Sequence, residues 1–259
     1  MPTLPTILQS PNITVPHGFS TRHGGVSTGY GATMNLRLQD HQSREDMLEN
    51  YGRYCHAVGV DVTRTVLSHQ VHTDNIRLAT EADAGKGLFR DRGYEADGLI
   101  TNAKNLPLVV FGADCGIALL HDPVNDAIGA VHGGWRGCAM GIMGKIVEEM
   151  TAQFDTDPAQ LQVAMGPCIH QCCFETHTDV PEAMIAALGH QAMAYIAPKG
   201  EKFSVDLLGL NRQWLLNAGV LPIHIHIHAH CTACDQENFW SHRKLGDHRG
   251  VQCGMIALD

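Results

Sequence analysis

Three residues of this chain have the types and setting to do chemistry together: Cys115, His132 and His72. Residues 111–137 read FGADCGIALLHDPVNDAIGAVHGGWRG, with a thiol following one apolar run and an imidazole following the next. His72, in LSHQVHTDN, stands after the apolar run Thr65–Leu67 and its turn. Two short strands ending side by side would bring the sulfur and His132 to one sheet edge, with His72 as a third ligand. One thiolate and two imidazoles suit zinc and leave a fourth position for water or substrate, which is the pattern of a catalytic site. Water held in that position ionises near pH 7 and becomes a nucleophile for an electron-poor carbon such as C6 of adenine. Spacing alone leaves open a plainer alternative, a buried free thiol beside hydrogen-bonded core histidines. The same residues also suit a cysteine hydrolase or transferase, with Cys115 as nucleophile and His132 or His72 as its base.

Glycines crowd around these ligands at Gly24, Gly25, Gly112, Gly133, Gly134 and Gly137, and glycine lets a backbone approach a ligand closely. Arg22 and Arg136 lie on two of these turns and are candidates to fork onto an anionic oxygen such as phosphate. Gly24 and Gly133 are the matching candidates for backbone contact with a substrate; ordinary surface partners for both arginines are the alternative. Asp114 is an acid/base, a support for Cys115 or simply a turn residue. Trp135 is read as core. His224, His226, His228 and His230 would share one face of a strand. An antiparallel strand with one solvated face explains them better than a second metal site. Cys231 and Cys234 form a lone CxxC, a weak zinc signal, and Cys168, Cys172 and Cys173 read as turn and core thiols.

The elements that would carry these residues follow from periodicity. Ile13–Thr21 alternates loosely and predicts a strand. Ser43 with Asp46 resembles a helix cap, and Met47, Tyr51, Tyr54 and Val58 then recur at helical spacing. Strands are predicted at Thr65–Leu67, Asn75–Leu78, Asp97–Thr101, Leu108–Phe111, Ile117–Leu120, Ala127–Val131, Leu161–Met165 and Ile223–His230. One helix is predicted over Gly137–Phe154, with Ile142, Ile146, Val147 and Met150 on one face. Asp179 and Asp206 are predicted to cap two more helices, ending at Leu188 and at Asn217. Strands clustered between helices, without a linker or repeat, predict an α+β fold of mixed β-sheets flanked by helices, with residues 1–259 as a single domain.

Composition narrows the function classes. A net charge of −9 without any basic stripe argues against nucleic acid as a partner. No apolar stretch is long enough to span a bilayer, and the first residues lack the form of a secretory signal. Nine unevenly spread cysteines do not look like a disulfide framework, so the cytoplasm is the expected compartment. Oligomeric state is not legible at this level.

Taken in order, FSTRHGGVS with MNL, SHQVHT, EADGLIT, GADC, VHGGWRG, AMGPCIHQCCFE, and CT followed by FWSHR span roughly residues 18 to 243. This series resembles the laccase-domain (YfiH-like) family, also called a purine nucleoside phosphorylase family and earlier labelled polyphenol oxidase. The resemblance implies a single-domain α+β fold with zinc bound by His72, Cys115 and His132. It implies phosphorolysis of adenosine, inosine or methylthioadenosine and hydrolytic deamination of adenosine, so that purine nucleosides and phosphate are the expected partners. Copper-dependent oxidation of phenols and editing of peptidoglycan precursors have also been attributed to the family; copper is the lesser expectation here, because no paired HxH motifs recur in separate segments. The chain departs from the family pattern at Ile117, where proline is usual, at Gly133 for alanine, at Phe174 for tyrosine, and at Trp240 and His242. None of these removes a proposed ligand.

Overall fold

Apolar runs that do not alternate need cover on both faces, and the runs around Leu108 and Leu119 find it between the opposite sheet on one side and a helix on the other. The computed structural model describes residues 4–37 and 42–259. In chain order the strands are β1 (Ile7–Leu8), β2 (His17–Ser20), β3 (Val66–Leu67), β4 (Ile76–Leu78), β5 (Gly98–Thr101), β6 (Leu108–Gly112) and β7 (Gly116–Asp122). They continue as β8 (Ala127–Gly133), β9 (Gln162–Met165), β10 (Glu175–Thr176), β11 (Ile196–Lys199), β12 (Lys202–Val205), β13 (Ile225–Ile227) and β14 (Gln252–Ile256). The helices are α1 (Arg44–Val58), α2 (Trp135–Ala139), α3 (Ile142–Phe154), α4 (Asp179–Leu188), α5 (Leu207–Asn217) and α6 (His242–Leu245).

The first sheet has the order β1-β2-β14-β6-β3 and the second β13-β9-β7-β8-β5-β4. Both are mixed: β3 runs parallel to β6, β4 to β5 and β13 to β9, and the remaining pairs are antiparallel. A small antiparallel sheet, β10-β12-β11, stands apart in sequence between α3 and α5. The fold is α+β, as the sequence predicts.

Strand alternation sends successive side chains into successive layers. Leu108, Val110, Leu119, Ile128 and Ile256 point between the two sheets, together with Phe19 and Ala164. Val109 and Met255 point the other way, onto Met47, Tyr51, Tyr54 and Val58 of α1. Ala118, Leu120 and Val131 leave the second sheet on its outer face, where Ile142, Ile146, Val147 and Met150 of α3 cover them. The order of layers is therefore helix, sheet, sheet, helix. The chain passes from the first sheet to the second over Ala113, Asp114 and Cys115, between β6 and β7.

The cap on α1 is as expected: the Ser43 side chain accepts the Asp46 N–H at 3.0 Å. Asp206 likewise caps α5 by accepting from the Gly209 N–H. Asp179 is instead the first residue of α4, after Thr178. Two expectations need larger correction. The single helix over Gly137–Phe154 is two helices, because Gly141 takes φ +81° and ends the first; the Trp214 ring lies about 3.3 Å from where a Cβ would project. The histidine-rich strand shrinks to Ile225–Ile227, since Pro222 opens a 3-10 turn through His224. It also runs parallel, not antiparallel, to its neighbour β9. The strand predicted over Ile13–Thr21 is confined to β2.

Candidate active site

His132 is the penultimate residue of β8, in register opposite Ile117 of β7, and the same ladder pairs Gly116 with Gly133. Cys115 precedes β7, so the thiol and the imidazole meet at the edge predicted for them. His72 reaches them from the loop after β3, with its backbone held at φ +62°. The donor atoms of His72, Cys115 and His132 all lie within 4.8 Å of one another. Cys115 Sγ is 3.9 Å from His72 Nε2, and the two imidazoles meet edge to face at 4.9 Å.

Asp97, just before β5, holds this arrangement. Its fully buried carboxylate accepts the backbone N–H groups of Val71, His72 and Thr73, the Thr73 hydroxyl, and His132 Nδ1 at 2.9 Å. One side chain thus bends the loop that presents His72 and fixes the tautomer of His132, leaving Nε2 for Cys115 or a ligand. Burial by itself would raise the Asp97 carboxyl, but the bonds from His132 and Thr73 outweigh it and hold the group at about 2. Burial would also raise the Cys115 thiol, yet His132 and His72 bring it down to about 6. His132 moves the opposite way: burial lowers it, and Cys115 with Asp97 carries it up to about 9. Both shifts favour a thiolate beside an imidazolium in the metal-free pair.

The donor set fits a metal ion. Two imidazoles, a thiolate, a carboxylate behind one imidazole and a side open to a cavity are the attributes of a three-ligand zinc centre. Gly134 makes room for it: a Cβ there would lie 2.9 Å from Cys115 Sγ and 3.0 Å from His72 Cδ2. The cavity measures about 410 Å³, within the range of small-molecule sites. Leu36, Leu67, Leu88, Phe111 and Val251 give it apolar walls, and Arg37, Arg44, Arg92 and Arg249 are among its lining residues; Arg44 donates to the Leu88 carbonyl, and Arg249 to His242 Nδ1 and the Gly250 carbonyl. Gln70 is fixed in the wall by a reciprocal pair of bonds with the Phe111 backbone, at 2.9 and 2.7 Å.

The other residues singled out from sequence lie elsewhere. Arg22 donates to the carbonyls of Gln236 and Ala32 and stacks on Trp240 at 3.9 Å. Gly24 packs against Pro5, and Gly133 faces Met143 and Asn211. Arg136 is exposed, with its guanidinium over the ring of Trp135. None of the four is among the residues lining the cavity. Asp114 braces a turn: it accepts from Thr232 Oγ1 at 2.7 Å and from the Arg243 N–H at 2.6 Å. Among the described residues, no three donors of the His224–His230 run converge as potential ligands. His228 instead meets Ser10 at 2.8 Å and Phe19 edge to face. Cys168 is a core thiol as read, but Cys172, Cys173, Cys231 and Cys234 draw together into one cluster.

Sequence reasoning passed over Asp97 and the four cavity arginines. The only signal for Asp97 was its place in EADGLIT, immediately before a strand. The arginines come from separate loops and one helix start, and nothing in their spacing links them.

Comparison with known proteins places these features in context. Residues 16–259 match the sequence family described as "Multi-copper polyphenol oxidoreductase laccase". A relative from Geobacillus stearothermophilus named purine nucleoside phosphorylase YlmD is 32% identical over 244 residues, covering 93% of this chain and 88% of its own. Adenosine deaminase RL5, from an unknown prokaryotic organism, is 32% identical over 239 residues, covering 90% of each. The crystal structure of YlmD from Geobacillus stearothermophilus superposes with a TM-score of 0.90 at 30% identity, covering 96% of this chain and 94% of that one. That of the Bacillus licheniformis hypothetical protein YfiH also gives 0.90, at 29% identity, covering 94% and 92%.

Proposed function

The chain belongs to the multi-copper polyphenol oxidoreductase laccase family, and from that premise we propose that it is a zinc-dependent enzyme acting on purine nucleosides. Its reactions are phosphorolysis of adenosine, inosine or methylthioadenosine to the free base and a sugar 1-phosphate, and hydrolysis of adenosine to inosine and ammonia. The observation that carries this reading is the convergence of His72, Cys115 and His132, backed by Asp97, at the floor of a cavity lined by four arginines. Relatives named for both reactions support it.

A zinc ion held by the three ligands would supply Lewis acidity and a bound water of lowered pKa. Cys115 serves as a thiolate ligand, a state its two imidazole neighbours already favour. Asp97 keeps a proton on His132 Nδ1 and prevents the ring from turning. Arg37, Arg44, Arg92 and Arg249 are the residues to hold phosphate, a duty the sequence had suggested for Arg22 and Arg136. Phe111 and the aliphatic walls offer an apolar bed for the purine and keep bulk water off it. We treat residues 1–259 as one catalytic domain and its compartment as the cytoplasm. Nine free cysteines support a reducing environment, and no helix of the described residues is long and apolar enough to cross a membrane.

The test is direct. Purified protein is incubated with each nucleoside, with and without phosphate, and the products are identified by mass. Sugar 1-phosphate formed only with phosphate, and inosine from adenosine without it, are the expected products, both lost in Cys115→Ala. A metal-loaded protein that turns over none of the three nucleosides refutes the reading. One observation favours a second mechanism, the closeness of Cys115 to His132, whose shifts favour a thiolate beside an imidazolium. A cysteine hydrolase or transferase stays active when metal-free and dies on thiol alkylation, whereas the zinc enzyme loses activity with its metal.

A further inference from the structure

We propose that Cys172, Cys173, Cys231 and Cys234 form a second metal site, a closed four-thiolate shell that holds one structural zinc ion. The four sulfurs all lie within 4.8 Å of one another. Cys172 Sγ is 3.8 Å from Cys173 Sγ, 3.7 Å from Cys231 Sγ and 3.6 Å from Cys234 Sγ, and Cys173 and Cys234 are 3.4 Å apart. Zinc bound tetrahedrally by sulfurs at about 2.3 Å spaces them about 3.8 Å from one another. The separations therefore match the edges of a coordination tetrahedron. They are far longer than the roughly 2.05 Å of a sulfur–sulfur bond.

Two turns deliver the ligands in pairs. Cys172 and Cys173 sit where Cys173 and Phe174 donate their N–H groups back to the His170 carbonyl. Cys231 and Cys234 span a second turn, closed by bonds from the Cys234 and Asp235 N–H groups to the Cys231 carbonyl. A bridge between Cys168 and Cys231 ties the two turns together. The His170 N–H points at Cys231 Sγ from 3.4 Å, which suits a thiolate better than a thiol. Zinc with four thiolates carries a net charge of about −2, and Arg243, bonded to the Cys173 carbonyl at 2.9 Å, brings a cation to the cluster. Soft thiolates select zinc over magnesium or calcium. Four protein sulfurs leave no open position, so the ion binds no substrate; its binding releases the thiol protons and holds two turns together.

These turns adjoin the first site. Asp114, the neighbour of Cys115, accepts Thr232 Oγ1 from within the CxxC turn, and its carbonyl accepts the Ile169 N–H. A zinc ion in the cluster thus braces the turn that presents Cys115.

Cys115→Ala separates the two sites. In protein prepared under reducing conditions without added metal, elemental analysis is expected to find one zinc per chain in Cys115→Ala. Adding Cys172→Ser and Cys234→Ser, both at exposed positions, is expected to remove it. In the otherwise wild-type chain, replacement of zinc by cobalt should give tetrathiolate charge-transfer absorption that the two serine substitutions abolish. Metal-free Cys115→Ala protein overturns the proposal, whether its four thiols are reduced or its intact mass shows disulfides. So does unchanged metal content in Cys172→Ser/Cys234→Ser. Should that variant fail to fold, thiol alkylation of Cys115→Ala decides: chelation is expected to unmask four further cysteines, and equal alkylation before and after chelation overturns the site. If instead the His72 site binds no metal, wild type and Cys115→Ala hold the same single ion, so the two failures are distinguishable.

Discussion

Asp97 is the residue on which both histidines depend. It receives three backbone N–H groups of the His72 loop and the Nδ1 of His132, so its replacement disturbs two ligands at once. Asn in its place would put an amide donor against groups that are themselves donors. We expect Asp97→Asn to weaken metal binding about 10- to 100-fold, the usual scale for losing the partner of a metal-ligating histidine. Competition with a chelator of known affinity measures it, and an unchanged affinity would show that Asp97 is only a loop anchor. At this scale the convergence of His72, Cys115 and His132 was legible, because each stands at the end of an apolar run that had to be a strand or its turn. The role of Asp97 was not, since three of its partners are backbone groups that converge only after folding. The cysteine cluster escaped for a related reason: its two pairs are each unremarkable, and only the bridge between Cys168 and Cys231 joins them.

Among the elements, the junction of β8 with α2 is the least forgiving. Gly134 lies between His132 and the first turn of α2, and a methyl group there would stand within 3.0 Å of both Cys115 and His72. Its backbone angles, φ −66° and ψ 171°, are open to any residue, so the strain of Gly134→Ala falls on the site and not on the chain. Turnover is expected to drop by about a hundredfold, the scale of a 1 Å misplacement of reacting groups, while the melting temperature changes little. A large loss of stability with normal turnover in the folded fraction would contradict this. Element ends were readable where side chains mark them, as Ser43 does for α1. They were misread where a tertiary contact decides. The break at Gly141 lies under Trp214, seventy-odd residues away in sequence; the histidine run is shortened instead by a local signal, the turn that Pro222 begins.

For the molecule as a whole, carboxylates set the response to acid. Asp83 is buried with Lys86 at 2.7 Å, Arg77 at 3.4 Å and the Thr80 N–H at 2.8 Å. Burial would raise it, but these partners hold it at about 2, as Asp97 is held. A carboxyl depressed in the folded state contributes stability that is complete above its unfolded value of about 3.9 and is lost as pH falls through the folded value. Stability is therefore expected to decline between about pH 4 and pH 2, Asp83 accounting for something on the order of 2 kcal/mol. Urea unfolding of wild type and Asp83→Asn across that range tests it: the variant should start lower and decline less, and parallel curves would exclude Asp83 as the cause. The four-layer order itself was only half legible. The apolar runs announced strands and the helical spacings announced helices beside them, but which sheet each strand joins depends on long-range pairing that periodicity does not carry.

The crossing of the chain between sheets at Ala113–Cys115 divides labour in the cavity. His132 and Cys115 belong to the second sheet and its approach, whereas Leu67, Phe111 and Val251 come from strands of the first sheet or their flanks, and Met47 and Tyr51 come from the helix on it. Cys115 and His132 are thus carried by one sheet and most of the cavity wall by the other, with His72 on the crossing from β3 to β4. Substitutions in the wall can reshape what is admitted while the ligands stay in register, so substrate range can drift in evolution, or be redesigned, without rebuilding the chemistry.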